Sequence, residues 1–481
     1  MNRRFVFYIL GQIVKLEAAF LALPLIVAIC YGEQKGIFAF LITICIALAI
    51  GFALTLIFKT ANKVIYAKEG LVIVALAWVA MSAVGALPFV LSGDIPSYTD
   101  AFFETVSGFT TTGASILTNV EEISHGALFW RSFTHWIGGM GVLVFIMAII
   151  PSVSDRSIHI MRAEMPGPIV GKIVPRAKQT AKILYLIYIA LTAAETVFLL
   201  CGGMSFFESI VHSLATAGTG GFGIRADSIS SYTPYIQWVI TVFMFLFGIN
   251  FNLYYLILIK RFRAAISSGE LWVYVGIALT SVAVITYNIY PLYGGFSEAF
   301  RHSAFQVSAI ITTTGFSTAD FNLWPTLSKA IIFILLFIGG CAGSTAGGFK
   351  VSRVVMLFKM IKQELRRILH PRSVSSVKFE GKTLDRTTLS SVSSYFALYI
   401  VIIAISFLII SLEPFGFETN FTAVITCFNN VGPGFGMVGP AGGFAEYSPL
   451  GKLFFSVLML FGRLEIYPML FALTPSVWTK K

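Results

Sequence analysis

The sequence predicts an all-α integral membrane protein, and three observations support this fold class. Of the 481 residues, 57% are hydrophobic and only 12% are charged, a composition too apolar for a water-soluble domain of this size. The apolar residues form runs long enough for a helix to cross the hydrocarbon core, which takes about 20 residues. These runs are continuous, whereas the strands of a membrane β-barrel would alternate polar and apolar residues.

About ten such runs occur along the chain, and each is long enough to be a span. They lie near residues 5–30, 37–58, 71–92, 127–150, 183–202, 235–259, 272–290, 327–338 continuing through 349–360, 394–412 and 450–472. The first run follows Arg3 and Arg4, as a signal peptide would, but it is too long and contains Lys15 and Glu17. We therefore expect it to remain in the protein as a span.

The distribution of Lys and Arg predicts that both termini are cytoplasmic, because basic residues of short loops stay on that side. With the N-terminus inside, most of the 34 basic residues fall in the termini and in the loops at 59–70, 155–182, 260–270 and 350–390. The exceptions are Lys35, Arg131, Arg225, Arg301, Lys329 and Lys452 outside, with Lys15 and Arg463 inside spans. The net charge of +11 thus indicates topology and attraction to anionic lipid, and it is no sign of nucleic-acid binding.

Motifs of other protein classes are absent or out of context. The five cysteines lie in or beside apolar segments without a Cys-x-x-Cys pair, so neither a disulfide framework nor a zinc site is expected. The run 218-GTGGFG-223 follows no strand, and 343-GSTAGGFK-350 has Phe349 at the lysine position of a P-loop. We expect no nucleotide site and no cofactor in this chain.

A polar, glycine-containing motif interrupts the apolar sequence four times. The clearest copies are 107-SGFTTTGAS-115 and 308-SAIITTTGFSTADF-321, and weaker copies are 216-TAGTGGFGI-224 and 429-NNVGPGFGMVG-439. Alignment places Gly113, Gly221, Gly315 and Gly434 in register, with separations of 108, 94 and 119 residues. This repetition indicates four similar units, each with a span, a half-length segment, the motif and a second span.

The half-length segments point to re-entrant structure around one pore. They are 99-TDAFFETVSGF-109, 206-FFESIVHSLAT-216, 300-FRHSAFQVSAI-310 and 420-NFTAVITCFNN-430, all amphipathic. Irregular backbone at membrane depth is tolerated only where it lines a water-filled path or is buried in protein. Glycine permits torsions that aim neighbouring carbonyls at an axis, and several such oxygens can replace the hydration shell of a cation. The four motifs therefore predict an ion selectivity filter.

Acidic residues are more frequent in the predicted outer loops than inside. They include Asp94, Asp100, Glu104, Glu121, Glu122 and Glu208. Such a bias would concentrate cations at the entrance of a pore, although a scatter of solvated loop charges remains the alternative.

These features resemble the Trk/Ktr/HKT superfamily of potassium transporters over nearly the whole chain. The resemblance rests on the four units, on 110-TTTGA-114, 219-TGGFG-223, 313-TTGFS-317 and 432-GPGFG-436, and on a glycine-rich break in the second span of the third unit. Two extra helices ahead of the first unit look more like the TrkH/TrkG branch than the shorter KtrB branch. The superfamily associates filter glycines with potassium, so all-glycine motifs imply potassium selectivity. The fourth motif departs from the Thr-rich pattern, with Val431, Gly432 and Pro433.

The resemblance implies a set of filter residues and a domain organisation. The filter residues, which would bind K⁺, are Thr111, Thr112, Gly113, Thr219, Gly220, Gly221, Thr313, Thr314, Gly315, Gly432, Pro433 and Gly434. The expected domains are an N-terminal helix pair at 1–68 and units at 69–155, 156–265, 266–385 and 386–481.

A glycine-rich segment, 339-GGCAGSTAGG-348, interrupts the second span of the third unit. Each glycine inside a helix costs about 1 kcal/mol relative to alanine, so we expect a loop within the membrane. By resemblance this loop is a gate below the filter, formed by Gly339, Gly340, Gly343, Ser344, Thr345, Gly347 and Gly348. Close helix packing through small residues is the alternative.

Arg463 lies near the middle of the last predicted span, where a charge must face water or a partner. The resemblance implies that Arg463 constricts the pore and acts with the gate. A salt bridge with Glu195 or another residue of a span is the alternative. Asn250, at a comparable place in the second unit, is a further pore-lining candidate.

The expected function is potassium uptake across the bacterial inner membrane. The resemblance also implies a homodimer docked on cytoplasmic nucleotide-binding subunits of the TrkA type, while the basic segments at 155–182 and 350–393 would at least contact lipid headgroups. A cation-coupled secondary transporter is the alternative, although such folds usually have two halves rather than four similar units. An enzyme is not expected, because His125, His135, His212 and His302 accompany no nucleophile and are better explained by loop or headgroup contacts.

Overall fold

The computed structural model describes residues 2–59, 67–141, 177–372 and 376–478. Within these ranges the chain is helical apart from one two-stranded hairpin, and the all-α membrane prediction is confirmed. Six of the described helices are long and apolar enough to cross a membrane, or seven if one bent pair is counted as a span. All five cysteines are free thiols.

Three described helices precede the first unit. They are α1 (Arg3–Phe20), α2 (Ala22–Cys30) and α3 (Gln34–Ile57), and they form two candidate spans because α1 and α2 together make one. Helices α1 and α3 cross closely at a glycine, since a Cβ atom on Gly11 would lie 2.8 Å from the Leu54 Cβ. The half-buried amine of Lys15 reaches Thr55 Oγ1 at 3.3 Å. Small residues at the crossing thus let α1 and α3 pack in the absence of a polar face.

The first two units have the predicted order of elements. The first contains α4 (Ala67–Gly85), α5 (Leu87–Ser92), α6 (Tyr98–Phe109) and α7 (His125–Gly139). The second contains α8 (Ala177–Cys201), α9 (Phe206–Gly218), α10 (Pro234–Phe247), α11 (Phe251–Leu258) and α12 (Phe262–Ile266). The end of the predicted span at 127–150, the loop residues 155–176 and the proposed boundary between these units lie outside the described residues.

The last two units repeat this order. The third contains α13 (Gly269–Ile289), α14 (Phe296–Ile311), α15 (Thr326–Ile338) and α16 (Val351–Leu369), followed by the antiparallel strands β1 (Lys378–Phe379) and β2 (Lys382–Thr383). The fourth contains α17 (Arg386–Ile410), α18 (Phe417–Asn429), α19 (Pro449–Arg463), α20 (Tyr467–Leu473) and α21 (Pro475–Trp478). Single 3₁₀ turns form at Val120–Glu122, Tyr290–Leu292, Phe321–Leu323 and Gly436–Val438.

Two of the predicted continuous spans are wrong, because both break. The span expected at 235–259 bends by 90° between α10 and α11. The span expected at 450–472 ends as α19 at Arg463, and Glu465 and Ile466 then take positive φ values of 56° and 67°. Hydropathy alone missed these breaks because the residues on both sides are apolar.

The four short helices α6, α9, α14 and α18 form where the half-length segments were predicted. Polar caps fix the start of two of them, since Ser97 Oγ accepts the Asp100 N–H and Ser205 forms a capping box with Glu208. Buried aromatic residues surround them, as where Phe109 meets the edge of Trp130 with ring centroids 5.9 Å apart. The short helices are therefore held in the interior, and the loops that follow them meet there.

Candidate ion-binding site

Each short helix leads into a loop with the same backbone shape. We name these loop 1 (residues 110–115), loop 2 (218–223), loop 3 (312–317) and loop 4 (429–434). The second residue of each loop is left-handed, with φ of 55–56° at Thr111, Thr219, Thr313 and Asn430. The fourth residue is a glycine with positive φ: 76° at Gly113, 79° at Gly221, 82° at Gly315 and 95° at Gly432. Thus one backbone conformation occurs four times on different side chains.

The four loops contact one another in a closed ring. A Cβ atom on Gly113 would lie 2.0 Å from the Gly220 oxygen, and one on Gly221 would lie 2.0 Å from the Thr314 oxygen. The series continues from Gly315 to the Val431 oxygen at 2.3 Å and returns from Gly432 to the Thr112 oxygen at 2.7 Å. Each glycine therefore makes room for a carbonyl of the next loop, and only glycine fits at these places.

The predicted register of loop 4 is wrong by two residues. The third residue of every loop donates its N–H to the carbonyl five residues back, and in loop 4 this bond runs from Val431 to Thr426 at 2.9 Å. Gly432 is therefore the counterpart of Gly113, whereas the Gly434 N–H bonds Val438 instead. The alignment followed the Gly-Phe-Gly similarity, but the hydrogen bond to the preceding helix sets the spacing. Asn430 and Val431 thus belong to the ring, and sequence reasoning missed them.

Loops 1 and 3 share side-chain contacts that loops 2 and 4 lack. The hydroxyls of Thr110 and Thr112 are 2.7 Å apart, and those of Thr312 and Thr314 are 2.8 Å apart. Loop 4 instead uses an amide, since Asn430 Nδ2 donates to Thr112 Oγ1 at 3.0 Å and to the Met459 oxygen at 2.9 Å. Different side chains therefore hold the same main-chain ring.

The predicted break after α15 is present, and this glycine-rich loop (residues 339–350) lies against the ring. The Gly347 N–H donates to Thr313 Oγ1 at 2.6 Å, and a Cβ atom on Gly347 would lie 2.6 Å from the Asn429 oxygen. Gly339, Gly343 and Gly348 have positive φ, and the chain folds on itself where a Cβ on Gly348 would lie 2.8 Å from the Gly339 Cα. Helix packing through small residues does not describe this segment.

The glycine-rich loop is fastened to the second unit at the break between α10 and α11. The Cys341 N–H donates to the Gly248 oxygen, and the Phe251 N–H donates to the Gly343 oxygen, each at 3.0 Å. Thr345 Oγ1 donates to the Phe247 oxygen at 3.2 Å, and Ser344 Oγ donates within the loop to Cys341. Asn250 caps α11 and lies beside Gly343, where a Cβ would be 3.0 Å from its Oδ1.

Arg463 ends α19 and donates to main-chain oxygens of two other units. Its Nη1 reaches the Thr345 oxygen at 2.9 Å, and its Nη2 reaches the Gly139 oxygen at 2.7 Å and the Gly138 oxygen. The buried carboxylate of Glu195 makes no hydrogen bond to Arg463, so the structure does not contain the salt bridge with Glu195 named as the alternative. The guanidinium thus connects the glycine-rich loop with the end of α7.

A cavity of about 420 Å³ opens on the opposite side of the ring from the glycine-rich loop. All four ring glycines line it, together with the segment 437–446 that follows loop 4. The Phe444 N–H of that segment donates to the Ser115 oxygen at 2.9 Å, and the Gly436 N–H just before the segment donates to Asn322 Oδ1 at 3.1 Å. The ring therefore has access to solvent on this side.

A buried ion pair that the sequence analysis did not single out stabilises the wall of this cavity. Arg131 Nη2 lies 2.7 Å from Glu104 Oε1, with side-chain exposures of 3% and 0%. Glu104 also accepts a hydrogen bond from Ser115 Oγ at 2.9 Å. The Arg131 guanidinium stacks over the Phe222 ring, 4.0 Å from its centroid. The pair therefore joins loops 1 and 2. The sign of it in the sequence was the presence of charged residues within amphipathic segments.

The acidic residues of the predicted entrance are engaged in structure rather than free. Asp100 pairs with Lys452 at 2.8 Å and Glu208 pairs with Arg225 at 3.1 Å. Burial raises the pKa of Glu208, but hydrogen bonds from Ser205, Arg225 and Tyr232 outweigh it, so the pKa lies below its usual value. Asp94, Glu121 and Glu122 also accept hydrogen bonds. These carboxylates therefore also brace the loops around the cavity, and the effect of their charge on cations stays a prediction.

Two of the histidines that were expected to contact loops or headgroups are buried behind the loops. His135 is fully buried, with Nδ1 2.8 Å from the Gly108 oxygen and its ring against Phe222 at 4.2 Å. His212 is also buried, and its Nδ1 lies 2.8 Å from the Glu208 oxygen. Both rings therefore fill space behind loops 1 and 2.

Comparison with known proteins gives consistent matches. The chain matches the TrkH family, described as a cation transport protein, over residues 36–269 and 277–479. It is 37% identical over 485 residues to the Trk system potassium uptake protein TrkH of Salmonella typhimurium, covering 99% of this chain and 100% of that protein. It is 33% identical to the Trk system potassium uptake protein TrkG of Escherichia coli, covering 99% and 98%.

A solved structure matches the whole molecule. The crystal structure of the potassium transporter TrkH from Vibrio parahaemolyticus superposes with a TM-score of 0.88 at 32% identity, covering 100% of both chains. Family, relatives and structure agree over nearly every residue, and the chain belongs to the TrkH family of cation transport proteins.

Proposed function

We propose that this chain takes up potassium through a pore whose selectivity filter is the ring of loops 1–4. The observation that carries the proposal is the closed contact cycle of four glycines with four carbonyl oxygens. Main-chain oxygens held in a ring can replace the hydration shell of a monovalent cation without adding fixed charge. Relatives named as potassium uptake proteins share the whole chain length, which supports potassium as the ion.

The filter residues follow from the ring positions. They are Thr111, Thr112 and Gly113, Thr219, Gly220 and Gly221, Thr313, Thr314 and Gly315, and Asn430, Val431 and Gly432, with Pro433 and Gly434 beside them. The buried Thr111 hydroxyl has no hydrogen-bond partner among the described residues. An unpaired buried oxygen costs free energy, and a cation in the ring would supply the missing partner.

The barrier to flow is the glycine-rich loop together with Arg463. Gly347 lies against loops 3 and 4, and the Arg463 guanidinium joins Thr345 to the carbonyls at the end of α7. A positive charge at this depth repels a cation leaving the filter, most strongly where water is excluded. Opening therefore requires both the loop and Arg463 to move.

Orientation and assembly complete the proposal. The cavity side of the ring faces outward, both termini are cytoplasmic, and the protein lies in a bacterial inner membrane. The units are 69–155, 156–265, 266–385 and 386–481, after a helix pair at 1–68. The relatives belong to a Trk system, so we include a homodimer and TrkA-type cytoplasmic nucleotide-binding subunits as partners, with lipid around them.

The test is rubidium uptake into liposomes that contain this protein alone. Uptake driven by an inside-negative potential should be blocked far better by potassium than by sodium or lithium, and a pH gradient should not change it. Uptake that requires an inward proton gradient would replace this proposal with a cation-coupled transporter. Liposomes with Gly113→Ser protein provide the matched control for the filter.

The Arg463→Ala variant tests the barrier in the same assay. Rubidium flux should rise several-fold while the preference for potassium over sodium is kept, because the oxygens that Arg463 bonds, those of Thr345, Gly138 and Gly139, lie outside the four loops. Loss of flux in a protein with normal melting temperature would show that Arg463 is needed for structure and not for blocking.

A further inference from the structure

Glu270 is a buried carboxylate beside the glycine-rich loop that the proposed filter and barrier do not use. It lies in the first turn of α13, and only 4% of its surface is exposed. Its Oε1 accepts the Ala342 N–H at 2.6 Å, and it also accepts the N–H of Ser352 at the start of α16. One side chain therefore bonds the main chain within this loop and just after it.

The bond from Ala342 to Glu270 is one of several that hold the glycine-rich loop to other segments, with those from Cys341 to Gly248 and from Gly347 to Thr313. The loop cannot satisfy its N–H groups by helical bonds, because its glycines take positive φ at Gly339, Gly343 and Gly348. Leaving a buried N–H without its acceptor is unfavourable, and more so when the acceptor is charged. The Ala342 N–H therefore favours the arrangement in which Glu270 is close.

The amino end of α13 is itself held by a short hairpin. Glu380, at the turn between β1 and β2, accepts the Glu270 N–H at 3.0 Å and Ser268 Oγ at 3.2 Å. Ser268 is the N-cap of α13. A carboxylate at this end also interacts favourably with the helix dipole.

The hairpin is anchored on the helix that leaves the glycine-rich loop. Phe379 is 5% exposed and packs with Met356 of α16 and Val392 of α17. Lys359 Nζ donates to the Lys378 oxygen at 2.8 Å. A shift of α16 or α17 therefore moves Glu380, and with it the end of α13 that carries Glu270.

We propose that Glu270 is the positioning residue of the glycine-rich loop, and that the hairpin fixes Glu270 through Glu380. The inference rests on the proposed function, since it gives the barrier a mechanical connection to elements outside the pore. In the closed arrangement Glu270 bonds Ala342 and holds the loop against the ring. Displacement of the hairpin removes this support and lets the loop leave the ring.

The experiment measures loop exposure and flux separately. Cys341 is buried next to Ala342, so a protein in which Cys30, Cys45, Cys201 and Cys427 are replaced by serine reports loop position by its rate of alkylation with a maleimide. In this background Glu270→Ala should raise the labelling rate by about tenfold, the effect of losing a hydrogen bond to a charged group. Rubidium flux should rise with it, at unchanged preference for potassium.

Further variants distinguish a role of Glu270 in positioning the loop from a general disruption of the fold. Glu270→Gln keeps an acceptor for Ala342 and should restore most of the slow labelling. Glu380→Ala should give a smaller rise, and the double variant should not exceed Glu270→Ala alone, because both act on the same contact. Glu364→Gln is the control, since its exposed carboxylate on α16 pairs only with Arg367 at 3.6 Å, and it should change nothing.

The labelling of Cys341 tests the role of Glu270, and rubidium uptake tests the proposed function, so the two can be contradicted separately. If Glu270→Ala leaves Cys341 labelling unchanged, or if Glu270→Gln labels as fast as Glu270→Ala, Glu270 does not position the loop. Faster labelling with no potassium-selective uptake even in the unmodified protein would keep the inference about the loop and overturn the proposed transport function.

Discussion

Loop 1 and loop 4 have the same backbone conformation but almost no side chains in common. Loop 1 carries three threonines before Gly113, whereas loop 4 carries Asn429, Asn430 and Val431 before Gly432. Their left-handed residues have the same φ of 55°, and their helix-end hydrogen bonds have the same length of 2.9 Å. The comparison shows that the main-chain conformation defines this site. Side chains that only support that conformation can differ from loop to loop.

The largest expected effect is therefore at the glycines and should be similar in both loops. Gly113→Ser and Gly432→Ser each place a Cβ against a carbonyl of the next loop, at 2.0 Å and 2.7 Å, on a backbone that costs other residues about 1–2 kcal/mol. We expect the preference for potassium over sodium to fall by about tenfold, which corresponds to 1.4 kcal/mol. Competition of rubidium uptake by the two ions measures it.

Gly434→Ala is the matched control for the register of loop 4. Gly434 has no positive φ, and its new Cβ would meet side-chain atoms of Thr422 and Val438 at 2.8 Å and 3.0 Å, which can move. Ion preference should therefore stay close to that of the unmodified protein. If Gly434→Ala lowered the preference for potassium over sodium more than Gly432→Ala does, the register expected from the sequence would be the correct one.

A smaller effect is expected when loop 4 is given the side chain of the other loops. Asn430→Thr removes the two amide hydrogen bonds, to Thr112 and Met459, but threonine occupies the same left-handed position in loops 1–3. We expect a loss of about 1–3 kcal/mol in the free energy of unfolding and little change in ion preference. Thermal melting in detergent and rubidium competition measure the two quantities. A large loss of preference would show that Asn430 itself contacts the ion.

Thr111 and Thr313 occupy the same position in loops 1 and 3, but their replacement should affect stability differently. Thr313→Val removes the acceptor of the Gly347 N–H and should release the glycine-rich loop, raising flux at a cost of about 1–3 kcal/mol. Thr111→Val removes a hydroxyl that has no hydrogen-bond partner among the described residues, so the melting temperature should hardly change, while the potassium concentration that half-saturates uptake should rise. Identical flux and melting for the two variants would contradict the different roles given to Thr111 and Thr313.

Sequence patterns predicted the fold class, the short helices and the break after α15, because each depends on local hydropathy or glycine content. The family resemblance is confirmed by the comparisons, and with it the prediction that the chain is a transport protein and not an enzyme. The individual filter and barrier residues stay predictions.

What the sequence could not provide depends on contacts between distant residues. The register of loop 4 follows from one hydrogen bond between Val431 and Thr426, and the similarity of Phe222 and Phe435 concealed it. The partners of Glu104 and Glu270 lie far along the same unit, and those of Arg463 lie in the first and third units. The periodicity of apolar and polar residues within a unit does not indicate which of these groups come into contact.

The ring is closed between loop 4 and loop 1 by contacts that join the two ends of the chain. Asn430 bonds Thr112 across 318 residues, and Lys452 bonds Asp100 across 352. During synthesis, loops 1–3 are therefore made long before the last side of the ring exists. A ribosome-bound chain that ends before the fourth unit lacks one side of the ring, so the proposed ion site is complete only once the final unit has been made.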